Sequence, residues 1–82
     1  MCVAKLEGHK REVTSLVVVG DGLLASGSRD STVKVWDVAS SCCVVTLEGH
    51  HEVLCLAMLK DARLVSGHND GLRVWSSLLT LI

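Results

Sequence analysis

The sequence predicts an all-β fold built from two short antiparallel meanders, and three observations carry that prediction. The chain repeats itself: Leu6-Glu7-Gly8-His9 returns unchanged as Leu47-Glu48-Gly49-His50, and the copies lead on to Val35-Trp36-Asp37 and Val74-Trp75-Ser76. Its apolar runs are short and bounded by turn residues. Apolar residues make up 49% of the chain, yet Phe, Tyr and Pro are absent, so the core must come from Val, Leu and Ala, and Val-rich segments without proline favour strands.

Taken in order, the strand candidates of the first copy are Val13 to Val19, Leu23 to Ser28, Val33 to Asp37 and Cys42 to Leu47. They are separated by Gly20-Asp21-Gly22, by Arg29 to Thr32 and by Val38 to Ser41. Val53 to Leu59, Arg63 to Gly67 and Leu72 to Ser76 repeat the first three, and Leu78 to Ile82 is a candidate for the fourth. Connections this short exclude parallel crossovers, so consecutive strands run antiparallel. The copies align through Asp21 on Asp61, Ser26-Gly27 on Ser66-Gly67 and Asp30 on Asp70, with two single-residue deletions in the second. Cys2 to Glu7 matches Cys43 to Glu48 in the same way. Runs such as Leu16 to Val19 and Leu54 to Met58 are apolar on both sides of the strand, which asks for cover on both faces of each sheet.

The polar residues that recur with the repeat form a self-consistent set. A Trp indole only donates, an Asp carboxylate only accepts, and Ser and His do both, so a relay from Trp36 through Ser26 and His9 to Asp30 satisfies every member. The second copy offers Trp75, Ser66, His50 and Asp70. The expected role is a structural staple, because buried polar groups are tolerated only with partners supplied. Ser26, His9 and Asp30 are also the residue types of a hydrolase triad, but no Gly-x-Ser-x-Gly elbow is present and Ser26 lies inside an apolar strand run, so the chain is not expected to be an enzyme. Gly20 to Ala25 fits a relaxed dinucleotide fingerprint. A strand follows it, however, so a tight turn with glycines at positive φ is expected, and no cofactor. The four cysteines lack any Cys-x-x-Cys spacing, and Cys42 and Cys43 are adjacent. They read as reduced structural residues, with no metal and no disulfide.

Eighty-two residues make one small unit, marginal alone. The formal charge of −1, with scattered Lys and Arg and no spare aromatics, argues against nucleic acid as a partner. No apolar run is long enough to span a membrane and residues 1 to 20 lack the character of a signal peptide, which favours the cytoplasm, with the nucleus as alternative. Successive loops of a meander alternate between its ends, so the Gly-His loop and the Asp loop of each copy share one rim. That rim gathers Lys10, Arg11, Glu12 and Arg29 from the first copy and His51, Glu52, His68 and Asn69 from the second, the candidate partner-binding residues. Lys60, Asp61 and Arg63 mark a weaker candidate on the opposite rim.

Leu6 to His9, Leu24 to Asp30 and Val33 to Asp37 together resemble the WD40 repeat, a four-stranded blade set radially in a β-propeller. The resemblance implies blade one from Val13 to Leu47, blade two over residues 53–82, and residues 2–7 as an outer strand completing another blade. Ser76 departs from it by standing where the family's name residue would be Asp. It implies a non-catalytic scaffold that docks proteins or peptides on the Gly-His rim; the alternative is a purely structural unit that assembles with itself. Two blades do not close a ring of about four to eight. Either further blades or further copies are therefore expected, with residues 2–7 of one copy able to pair with Leu72 to Ser76 of its neighbour.

Overall fold

The computed structural model describes residues 1–75. Seven strands follow one another: β1 (Val13–Gly20), β2 (Leu23–Ser28), β3 (Thr32–Asp37), β4 (Cys42–Glu48), β5 (Cys55–Met58), β6 (Leu64–His68) and β7 (Gly71–Trp75). They make a four-stranded sheet in the order β1-β2-β3-β4, here blade one, and a three-stranded sheet β5-β6-β7, blade two, all neighbours antiparallel. The expected eighth strand and Ser76 lie outside the described residues, and residues 2–7 belong to neither sheet. Among the described residues no helix is long and apolar enough to cross a membrane.

The hairpin of β1 and β2 turns on Asp21-Gly22, where Gly22 alone supplies the positive φ, at 71°. Gly20 pairs with Leu23 as an ordinary strand residue. A register shift between Val13 and Ser15 re-aims Thr14, whose single hydroxyl hydrogen is placed to donate to Val53 O of the second unit at 2.7 Å, with Gly27 O as a second acceptor at 3.1 Å.

Because side chains alternate, each sheet has two distinct faces. On face A of blade one, Val17, Ala25, Val35 and Val45 are cross-strand neighbours; on face B the rows are Leu16, Ser26, Lys34, Thr46 and Val18, Leu24, Trp36, Cys43. In blade two face B carries Leu56, Met58, Leu64 and Trp75, and face A carries Cys55, Ala57, Val65, Leu72 and Val74. Face A of blade one packs on face B of blade two. Val19, Ala25, Val33 and Val35 form one core with Val53 and Leu64, flanked by Leu47, Leu56, Met58 and Trp75. The sheets meet chiefly along their first strands, β1 against β5, which is the contact of blades splayed from an axis.

Val53, expected within a strand, stands just outside β5 and serves this junction instead. Its N–H donates to Ser28 O of blade one at 2.9 Å, and its side chain is only 1% exposed. Full burial of a valine stabilises by about 1.5–3 kcal/mol. It rests directly over Gly27, where a Cβ would collide with it and would also stand 2.9 Å from Ser15 Oγ. Arg63, expected to open β6, is drawn into the preceding turn by Asp61, 2.8 Å from its Nε.

Candidate functional site

The Gly-His segment and the β2–β3 turn are tied at one end of blade one. Arg29 N–H donates to Glu12 O at 3.0 Å and Lys10 N–H donates to the Asp30 carboxylate at 2.9 Å, so the two loops share one rim. Beneath them the four polar side chains of the first repeat meet. Trp36 Nε1 donates to Ser26 Oγ at 2.8 Å, Ser26 Oγ lies 2.6 Å from His9 Nε2, and His9 Nδ1 lies 3.0 Å from Asp30 Oδ2. Donor and acceptor capacity then assigns the proton of His9 to Nδ1, with Ser26 donating to Nε2. The His9 ring also meets Trp36 edge-on, their centroids 6.2 Å apart.

Asp30 is the acceptor in which this relay ends. Burial raises its pKa, but hydrogen bonds from the Thr32 hydroxyl, Lys10 N–H, His9 and Thr32 N–H together outweigh that and hold its carboxyl well below the usual range. Thr32, which the sequence pattern did not single out, donates twice to this one carboxylate.

The second copy closes differently, which corrects the expectation for His50 and Asp70. Trp75 Nε1 donates to Ser66 Oγ at 3.0 Å, but the imidazole bound to Ser66 is that of His68, at 2.8 Å, and His68 Nδ1 reaches the backbone oxygen of Glu52 at 3.0 Å. His50 is exposed, and Asp70 lies at the surface 3.2 Å from His51 Nε2. The reason is local reach. His68 follows Ser66 by two residues on the same strand face, so it engages the hydroxyl without ordering a loop. At the matching position blade one has Ser28, too short to do so; its hydroxyl accepts from Asp30 N–H and donates to Arg11 O. The same placement buries His68 and removes it from the candidate partner-binding residues.

The other rim candidates, Lys10, Arg11, Glu12, Arg29, His51 and Asn69, are exposed, and Glu52 is half-buried. Four of them form an ion network across the two blades: Glu52 of the second lies 3.4 Å from Arg11 and 3.7 Å from Arg29 of the first, and Arg29 lies 3.5 Å from Glu12. Exposed pairs of this kind contribute about 0–1 kcal/mol each, so they gather the charges of both blades on one rim without adding much stability. Beside the rim a groove of about 360 Å³ is lined by charges of both signs, among them Lys10, Lys34 and Glu48.

Ser26 is buried in mid-strand, where its hydroxyl is committed to Trp36 and His9. Among the described residues no three His, Cys, Asp or Glu side chains stand close enough to hold a metal ion. All four cysteines are free and all are exposed, where the sequence suggested structural residues; Cys42 and Cys43 lie on the outermost strand of blade one.

With the geometry in hand, comparison with known proteins is direct. A family model described as WD domain, G-beta repeat, matches residues 1–37 and 41–76. Cell division control protein 4 of Saccharomyces cerevisiae is 40% identical over 57 residues, covering 68% of this chain and 7% of its own length. WD repeat-containing protein 18 of Bos taurus is 43% identical over 68 residues, covering 79% of this chain and 16% of its own. Among solved structures, the computationally designed Ika4 protein superposes with a TM-score of 0.76 at 36% identity, over 92% of this chain and 47% of Ika4. The chain therefore spans 7–16% of the length of those two relatives and about half of the design.

Proposed function

The chain belongs to the WD40, G-beta repeat, family of β-propeller blades, and from that premise we propose that it is a non-catalytic scaffold whose docking face is the rim formed by the Gly-His and Asp loops. WD-repeat proteins are generally scaffolds for protein interaction, and nothing in the two relays frees a nucleophile. The observation that carries the reading is the cross-blade network of Arg11, Arg29, Glu12 and Glu52, which gathers both signs of charge from the two blades on one exposed surface. Such a surface suits a protein or peptide of alternating charge, for which complementarity governs specificity and encounter rate. The cytoplasm or nucleus is the compartment that fits free cysteines and a relative named for cell division.

Affinity capture tests this with two variants compared against the unaltered chain. In the first, Arg11, Arg29 and Glu52 become alanine; in the second, Lys60 and Arg63 on the opposite rim do. Proteins held by the unaltered chain should be lost from the first variant and kept by the second, with similar melting temperatures for all three. Retention by the first variant would remove the rim as the docking face.

A further inference from the structure

Blade two inserts four apolar side chains of face B into blade one: Val53, Leu56, Met58 and Leu64, with Val53 and Leu64 1% and 0% exposed. Their counterparts in the repeat are Val13, Leu16, Val18 and Leu24 of blade one; among the described residues no second sheet packs over them, and Val13, Leu16 and Val18 are exposed while Leu24 is half-buried. Leu16 is 63% exposed and Val18 70%, and Leu16 lines, with Leu6, Val13, Leu24 and Trp36, a mainly apolar cavity of about 210 Å³ that Ser26 and His9 also border. The complementary surface is open as well. On face A of blade two, Leu72 is 74% exposed and Val74 55%, although their counterparts Val33 and Val35 are 1% and 0% exposed in the covered junction. Gly67 occupies in blade two the place of Gly27, the glycine on which Val53 rests, although here the Cys55 thiol, the counterpart of Ser15, stands over it.

We propose that face A of blade two binds face B of blade one in a second copy of this chain, with Val13 reaching Gly67 as Val53 reaches Gly27 once the Cys55 thiol turns aside. The occupant is a second copy because each half of the missing junction is present on the chain, residue for residue, and the completed junction inside the chain shows how they fit. Leu6 supports the same geometry: it lies against the cavity of Leu16, Leu24 and Trp36, as Leu47 of the outer strand lies against the core shared with blade two. The contact is head-to-tail, so it leaves one free half at each end and grows until a ring closes. Rings of about four to eight blades correspond to about two to four copies.

The test uses the full chain with one face disabled at a time. Leu16→Arg blocks face B and Leu72→Arg blocks face A, and both side chains are exposed in the single chain, so each variant should keep its fold by circular dichroism. Measured by light scattering, the unaltered chain should be an assembly and each variant alone a monomer. Mixed in equal amounts, the variants should form a dimer that grows no further, because one intact face A then meets one intact face B. If either arginine variant unfolds, Leu16→Ser and Leu72→Ser give the same comparison, each raising the dissociation constant by at least about tenfold through lost apolar burial. An unaltered chain that is monomeric, a variant that assembles alone as the unaltered chain does, or a mixture that stays monomeric would each overturn the proposal. None of these outcomes depends on whether the rim binds another protein.

Discussion

His9 and His68 are the two imidazoles on which serine hydroxyls and tryptophan indoles depend, one in each blade. Replacing either with alanine leaves a buried serine half-satisfied and should cost about 1–3 kcal/mol in denaturant unfolding. His50→Ala should change stability by less than about 0.5 kcal/mol, since its side chain is at the surface. The first relay, ending on a carboxylate, also carries an acid signature. Asp30 titrates well below the ordinary range when folded and near about 3.9 when unfolded, so its contribution is complete above that value and is lost as pH falls through it toward the folded pKa. The stability advantage of the unaltered chain over Asp30→Asn should therefore be constant from about pH 7 to 5 and shrink toward pH 3. The repeat makes the first relay legible because all four of its residue types recur in the same order in the second copy. It missed the exchange of His50 for His68 because aligned copies were assumed to make aligned contacts, whereas the visible signal was the one place where a serine, Ser28, faces a histidine.

At the scale of the elements, the junction between blades rests on a close approach that a glycine permits. Gly27→Ala would drive a methyl group into Val53 and should cost about 1–3 kcal/mol, and Val53→Ala in that background should recover part of the loss, a coupling that a double-mutant cycle measures. Ser15 Oγ, in the same junction, is the one buried side-chain polar atom without a partner among the described residues. Ser15→Ala should therefore stabilise the chain by about 1 kcal/mol, read as a higher melting temperature. The strands are legible because short apolar runs are closely bounded by turn residues. Val53 falls outside its expected strand through a detail that an apolar run does not encode: its N–H serves Ser28 of the neighbouring sheet and not its own ladder.

For the molecule as a whole, each blade has, among the described residues, one face packed on the other blade and one face with exposed apolar side chains, and the exposed pair has the same repeat positions as the packed pair. The need for cover was readable from runs that are apolar on both sides, such as Leu16 to Val19. Which face of which blade would find it inside the chain was not, because that depends on how two twisted sheets meet, and the repeat is silent on their order around an axis. The most direct measurement is the mass of the unaltered chain in solution, by size exclusion with light scattering. The account predicts a discrete particle of several 8.8 kDa chains, and a folded particle of a single chain would contradict it.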